Sequence, residues 1–421
     1  MEEKSMEQLH KRLTKEQVKL LIQGYDQGKM SRAEAQEMLG VGKTRFFALV
    51  KQYRQSNEKF SVRYARTSPP KISPEVENLI REALLREKEI VEDPDLPISD
   101  YNYSAIRDRL RTKAVNVSVT TIIDRARKLD CHKPRKKKSE HDREVLTASV
   151  GALIQHDSSF HMWSPLSQRK WYLITFIDDF SRKLLYADFV EKETTWAHIL
   201  AARALIQQYG IPLRYYVDSL RVFRFVQSRD SVWRKHVLQT DDVDTQWSEM
   251  MRCIGVEVIH ALSPQAKGKV ERPYRWLQDR IVRTCIYENL ATIDEARNVL
   301  RYEVDRYNNH QIHSTTGEIP EIRFQQALKS GNSLFRPFSI PKPFSLPQDI
   351  FCLRTTRMVN AYRRITLFQH TIQVPQVPLR EDVQIHMTPN EQKEIMQVRI
   401  WWQDKLVHQV SLPLNGFRVH F

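Results

Sequence analysis

The chain is 421 residues long, 41% hydrophobic and carries eight Trp, enough for real cores in three or four domains and too much for a disordered tail protein. Its formal net charge of +15 suits a polyanionic partner, because neutralising phosphates and releasing their counterions drives association; a basic soluble protein without such a partner has the same composition. No run of about 18 apolar residues is present and MEEKSMEQLHKR lacks a signal-peptide core, so a soluble, cytoplasmic protein without a membrane partner is expected.

Residues 14–55 read as a helix-turn-helix unit. Val18, Leu20, Leu21, Ile22 and Tyr25 supply the apolar stripe of a first helix that ends near Gly28. Ser31 is a candidate N-cap for RAEAQEML, with Glu34 completing a capping box. Gly40-Val41-Gly42 gives a tight turn, and KTRFFALVKQYR follows as a candidate recognition helix. Its first residues, Lys43, Thr44 and Arg45, stand where base-edge contacts are usually made. An ordinary three-helix bundle would show the same pattern.

Past Ser68-Pro69-Pro70, helices are expected over 74–89, 104–113 and 118–129, the last with Ser118 as N-cap. Basic residues outnumber acidic ones between 101 and 148. Arg125 and the KPRKKK run, with Lys136 and Lys137, are candidate phosphate contacts; KPRKKK also reads as a solvated linker or a nuclear-localisation patch.

Three acids then stand in settings that can bring them together. Asp157 (IQHDSS) and Asp218 (YYVDS) end apolar runs, 150–155 and 213–217, that read as buried strands. Glu271 follows a Ser-Pro turn and opens an amphipathic basic stretch that reads as a helix. Two carboxylates on neighbouring strand ends and a third on a facing helix can hold divalent cations, since Mg²⁺ takes oxygen ligands. A metal pair can clamp the attacking and leaving oxygens of a phosphodiester, which is nucleic-acid strand chemistry.

Between the first two acids, WYLITFIDD and KLLYADFV read as an antiparallel pair joined at Ser181-Arg182, followed by a helix over 194–209. Asp178 and Asp179, just before that turn, read as turn or surface groups rather than ligands. His156 and His161 are at best accessory or DNA-facing, because Mg²⁺ prefers oxygen. On the Glu271 helix, Lys267, Arg275 and Gln278 share the face of the acid, and Lys269 and Arg272 add cations beside it. Val270, Leu277, Ile281 and Cys285 fall on another face and are expected to pack on the sheet. Pro273 favours a helix that starts near Lys269.

The stretch 221–247 carries Phe223, Phe225, Trp233 and Trp247 among basic residues, suited to stacking on a base or to a small helical core. Cys131, Cys253, Cys285 and Cys352 are scattered without a CxxC pair, which argues against a disulfide framework or a Cys-based zinc site. Prolines concentrate in a linker over 331–348. Alternating residues beyond it mark four or five short strands, expected to close into a small β-barrel that contacts DNA backbone and joins protomers, or that is purely structural.

Four motifs occur in a telling order: Gln155-x-Asp157, LITFIDDFSRKLL (173–185), SPQAKGKVER (263–272) and YNNHQIHSTTGEIP (307–320). Over about residues 148–325 they resemble the retroviral-integrase superfamily of DDE transposases, most closely transposases of bacterial insertion sequences. Two departures are the long gap between Asp218 and Glu271 and Ser219 where many relatives place Asn.

The resemblance implies an RNase H-like catalytic core over 140–330, and with the residue patterns on either side the expectation is a multidomain α/β protein: helix-turn-helix domain 1–60, second helical DNA-binding domain with basic linker 61–139, the core, linker 331–348 and barrel 349–421. It implies Asp157, Asp218 and Glu271 as catalytic metal ligands for two Mg²⁺ or Mn²⁺ ions. The expected activity is that of a transposase that binds the ends of a mobile element, frees 3′-hydroxyls by hydrolysis and joins them to target DNA. The expected setting is a nucleoid-associated homo-oligomer on double-stranded DNA. The alternatives are a regulator that has lost the chemistry and an RNase H-type or junction nuclease without strand transfer.

Overall fold

The computed structural model describes residues 9–55, 60, 72–133, 147–217, 246–260 and 271–417, excluding the side chains of residues 10, 11, 271 and 272. It divides into two compact units, residues 1–81 and 82–421.

In the first unit a short α1 (Leu9–Arg12) precedes α2 (Lys15–Asp26), α3 (Arg32–Leu39) and α4 (Lys43–Gln55). Thr14 with Gln17 and Ser31 with Glu34 form capping boxes that satisfy otherwise orphaned backbone donors. Gly40 closes α3 in the left-handed conformation, at φ 59°, a conformation that glycine adopts without a Cβ penalty. Val18, Ile22, Ala35, Leu39, Phe46 and Leu49 form the core. Leu20, expected on the apolar stripe, is 72% exposed, because Val18 and Ile22 occupy the buried face and Leu20 falls on the other side of the turn.

The second unit begins within α5 (Pro74–Glu92) and continues with α6 (Tyr103–Thr112) and α7 (Val119–Lys128), whose N-cap is Ser118 as expected. A five-stranded sheet follows, in the order β3-β2-β1-β4-β5. Its strands are β1 (Ile154–His161), β2 (Trp171–Asp178), β3 (Leu184–Val190), β4 (Arg214–Val217) and β5 (Glu257–His260). The first three run antiparallel in sequence, while β4 and β5 lie parallel to β1.

Both faces of this sheet are covered. α8 (Thr195–Tyr209) and α9 (Gln246–Cys253) bury Ile199, Leu205, Trp247 and Met250 against Ile154, Ile174 and Phe176. On the other face, α10 (Glu271–Tyr287) and α11 (Ile293–His310) bury Leu277, Ile281, Cys285 and Leu300 against Leu173 and Ile177. Leu277, Ile281 and Cys285 thus pack on the sheet as their spacing requires, while Val270 lies outside the described residues.

α5 and α6 are tied to α10 and α11 mainly by charge. Glu87 and Arg283, both fully buried, form an ion pair, and Arg283 also donates to the carbonyl of Asp100. Asp108 receives Arg280 at 2.8 Å and also Arg306. Burial would raise the Asp108 pKa, but the guanidiniums of Arg306 and Arg280 outweigh it and hold the carboxyl below its ordinary value. Arg109 lies over the Tyr287 ring at 3.7 Å.

The proline-rich stretch is part of this body. Val150 bridges Ser333 and Ile211 bridges Arg336, while Phe335, Phe338 and Phe344 pack against the α8 side of the core. Gly151 has φ +73°, and an added Cβ would sit 2.8 Å from the Phe335 ring, so only glycine fits there. After α12 (Pro320–Lys329) and this stretch comes an antiparallel sheet of β6 (Leu353–Met358), β9 (Asp382–Asn390), β10 (Ile395–Trp402) and β11 (Lys405–Pro413). Its order is β11-β10-β9-β6, with a separate hairpin of β7 (Arg364–Leu367) and β8 (His370–Gln373). The expected closed barrel is therefore corrected to an open sheet plus a hairpin among the described residues. Alternation specifies one buried face for each strand, here Ile365, Ile372, Val383, Ile385 and Val398 in a shared core, and does not dictate closure.

Among the described residues no helix is long and apolar enough to cross a membrane. The edge strand β3 is finished by a side chain: Asn308 on α11 accepts from the Leu184 N–H and donates to the Leu184 carbonyl, both at 2.9 Å. Asn308→Ala should lower the unfolding free energy in urea by about 1–3 kcal/mol, since two buried backbone groups lose their partners. The exposed neighbour change Asn309→Ala should cost less than about 0.5 kcal/mol.

Candidate active site

β1 lies in the middle of the sheet and carries the polar run Gln155 to Ser159. Alternation sends His156 and Ser158 to the α8 face, and Gln155, Asp157 and Ser159 to the α10 face. On the α8 face, His156 Nε2 meets His198 Nδ1 at 2.8 Å, and Glu193 bonds both His198 and Ser158. His156 is therefore a buried core group packed near Trp247 and Tyr215, on the side away from Asp157, and not an accessory to that acid. His161, at the end of the strand, is half-buried, and burial followed by nearby Lys170 lowers its pKa.

On the α10 face, Asp157 is half-buried and sits opposite Thr175 in the β1–β2 register. The Thr175 hydroxyl reaches the Tyr274 hydroxyl at 2.7 Å, and Gln278 donates to Ser159 at 3.3 Å. α10 thus crosses the sheet beside Asp157. Its first residue is Glu271, three positions before Tyr274, and Pro273 falls in the first turn, where its missing N–H costs no helical bond. Asp157 lies within β1, not at its end, because Ser158 to His161 continue to pair with β2.

The remaining candidates separate as follows. β4 ends at Val217, and Asp218, Lys267 and Lys269 lie outside the described residues, as do the side chains of Glu271 and Arg272. Arg275 is exposed on α10. Lys43 and Thr44 are exposed and Arg45 half-buried at the start of α4. Ser118 caps α7 by accepting from Thr121 N, and Arg125 is half-buried on that helix. Lys136, Lys137, Phe223, Phe225 and Trp233 lie outside the described residues. Trp247 is fully buried in α9, so it serves the core and is closed to base stacking. Among the described residues no three His, Cys, Asp or Glu side chains are grouped to hold a metal.

Asp178 and Asp179 take the turn role but not a surface one, since both are fully buried. Asp178 accepts from Gly151 N, Ser181 N and Ser181 Oγ, at 2.9, 2.8 and 2.6 Å. Burial outweighs these bonds and raises its pKa. Asp179 pairs with Arg182 at 2.9 Å and accepts from Gln155 of β1. The polar half of LITFIDDFSRKLL is thus a buried clamp on the β2–β3 turn. The 307–320 motif is likewise structural where described: Asn308 seals β3, and His313 Nδ1 accepts from Thr315 N. The Thr175–Tyr274 contact and the His156–His198–Glu193 chain had no sequence signal, as each joins residues far apart in the chain.

No known family profile matches the chain. It is 28% identical over 227 residues to y4bF of Sinorhizobium fredii (strain NBRC 101917 / NGR234), named as a transposase, covering 54% of this chain and 45% of that protein. It is 30% identical over 159 residues to the transposase for insertion sequence IS1202 of Streptococcus pneumoniae, covering 38% of this chain and 32% of that protein. The chain spans less than half the length of these curated relatives. The resemblance to transposases of insertion sequences thus extends beyond the four motifs.

Among solved structures, the HTLV-2 integrase catalytic core domain in complex with magnesium aligns with TM-score 0.31 and 17% identity over 43% of this chain and 99% of that one. The simian T-cell lymphotropic virus intasome in complex with PP2A regulatory subunit B56 gamma gives TM-score 0.32 and 13% identity over 73% and 92%. Strand order and register, rather than these alignments, define the fold.

Asp179→Ala should cost about 3–5 kcal/mol of unfolding free energy, because it strips the buried Arg182 of that carboxylate. Tyr274→Phe, which removes one hydroxyl, should cost about 1 kcal/mol. Because the Asp178 pKa is raised in the folded protein, its stabilising contribution is complete below the unfolded value near 4 and is lost as pH rises through the folded value. Asp178→Asn should flatten that part of the stability–pH curve, measured by urea titration at several pH values.

Proposed function

We propose that the chain is a DNA transposase of the integrase superfamily, with an RNase H-like core whose reactive acids are Asp157, Asp218 and Glu271. The observation that carries this reading is the placement of Asp157 on the covered face of the central strand, beside the helix that Glu271 opens. The β1–β4 register supports Asp218 as partner: Gln155 pairs with Tyr216, and the same count leads from Asp157 to position 218. The similarity to two transposases supports the chemistry.

Three carboxylates form an all-oxygen donor set, which fits Mg²⁺ or Mn²⁺, two ions in our reading, and fits softer metals poorly. Bound between these acids, such cations supply Lewis acidity and charge stabilisation to the reacting phosphodiester. The protein's share is positional. Asp157 is fixed by strand pairing, and α10 is held over it by Tyr274 and Gln278. Lys267, Lys269, Arg272 and Arg275 lie close in sequence to Glu271, suited to a phosphate backbone crossing the site.

The overall reaction has two parts. Water hydrolyses a phosphodiester at the element end and frees a 3′-hydroxyl. That hydroxyl then attacks a target phosphodiester, forming one P–O bond as another breaks, with no covalent protein–DNA intermediate.

For end recognition, residues 1–60 are assigned as a helix-turn-helix domain with Lys43, Thr44 and Arg45 at the start of its reading helix. The glycine-closed turn between α3 and α4 supports this. Residues 61–139, with Ser118, Arg125, Lys136 and Lys137, are assigned as a second DNA-contacting domain, and 140–330 as the catalytic core. Two ends must be handled together, so the working form is assigned as a homo-oligomer on double-stranded DNA, in the nucleoid.

Incubation with Mg²⁺ or Mn²⁺ and DNA bearing the repeats that flank its gene tests the reading. Wild type should cut and join end-bearing DNA. Glu271→Gln, Asp157→Asn and Asp218→Asn should each lower this by about a hundredfold or more while end binding survives, and combining them should add little. End binding without cutting would favour the regulator. Cutting of any DNA without joining would favour the nuclease. Affinity for end DNA should fall with salt, each phosphate contact adding roughly 0.9 to the log–log slope.

A further inference from the structure

The contact of α5 and α6 with α10 and α11 is specified by charge. Glu87 and Arg283 are both fully buried, and Glu87 also receives Arg109 at 3.4 Å and the Tyr287 hydroxyl at 3.0 Å. Asn102 does double duty, since its Oδ1 caps α6 at Ala105 while its Nδ2 reaches Asp279 on α10. Buried pairs of this kind add little to affinity, because desolvation offsets the attraction, but they penalise any other register heavily by stranding a charge. They therefore favour one orientation of residues 82–133 on α10. Glu271 and Arg283 lie on that same helix, about 18 Å apart at 1.5 Å per residue. Arg127 and Lys128 at the end of α7 remain exposed.

We propose that Glu87 and Arg283 are positioning residues, which hold residues 82–133 on α10 so that DNA bound by α7 meets the reactive acids at a fixed distance. In this way the second helical unit measures out which phosphodiester is cut. The proposal rests on the transposase reading above, and α10 is its ruler. A displacement of about 1 Å at a reacting group can cost about a hundredfold in rate, so even a loose mount would spread or abolish cutting.

The test uses the full chain in a Cys253→Ser background, with spin labels at Glu89→Cys and Lys329→Cys, both exposed positions on α5 and α12. Double electron–electron resonance should give one narrow distance, unchanged when end DNA is added. In Glu87→Gln the distance should broaden. Cutting of end DNA, mapped to the nucleotide with Mg²⁺ or Mn²⁺, should then spread from one phosphodiester to several neighbours, with cutting at the original position falling by about a hundredfold.

A merely structural role would lower the melting temperature and total activity while the cut stayed at one position. If Glu87→Gln fails to fold, Arg109→Ala, whose side chain is partly exposed, takes its place with the same expectation. Broad distances in the wild type overturn the proposal, as does a broadened variant that still cuts at one position. A narrow wild-type distance with no cutting of end DNA sinks the transposase reading and the measuring role with it, and leaves the mount itself standing.

Discussion

A strand in the middle of a sheet, covered by helices on both faces, cannot carry five consecutive polar residues unless the fold supplies partners for them. β1 does carry such a run, and much of the second unit can be understood as the answer to it. Gln155 is bonded by Asp179, His156 by His198, Ser158 by Glu193 and Ser159 by Gln278. Each bond recruits a different element: the β2–β3 turn, α8, the segment leading into α8, and α10. Polar groups in low dielectric are expensive when unpaired and rigid when paired, so the strand that holds Asp157 is fixed from four directions.

The same logic applies to the buried turn. Asp178, Asp179 and Arg182 look like surface chemistry in a linear sequence, yet they are sealed inside, with Asp178 bonded by Ser181 and Gly151 and Asp179 paired with Arg182. Motif residues in this chain thus divide into two groups. Asp157 stands on the face that α10 covers, and Asp178, Asp179 and Asn308 build the frame.

What could be read from the sequence was local. Capping at Ser31 and Ser118 and the early Pro273 in α10 depend on neighbours within a few residues, and they appear where spacing put them. The antiparallel pairing of β2 with β3 followed from two apolar runs and the turn between them. What could not be read was long-range. Alternation in the C-terminal strands is the same for an open sheet and a closed barrel. The burial of Asp178 and Asp179 depends on Gln155 and Gly151, more than twenty residues away. His156 reads as an accessory to Asp157 because it is adjacent in sequence, but a strand sends adjacent side chains to opposite faces. Of the proposed acids, the structure places Asp157 and the backbone of Glu271, and Asp218 lies outside the described residues.

The proline-rich stretch changes where the core domain should be said to end. Composition makes it a spacer, and residue 330 the natural place to divide the chain. Yet Phe335 lies against Gly151, Arg336 pairs with Ile211, and Ile350 and Phe351 are wholly buried with the α8 side of the sheet. A fragment stopping at 330 would uncover a row of aromatic sockets and leave Val150 and Ile211 without their backbone bridges, exposing a sticky face of the kind that draws proteins into aggregates. The packing on the α8 side thus continues to at least Phe351, and the C-terminal sheet belongs to the same compact unit, with Arg399 of β10 paired to the buried Asp349.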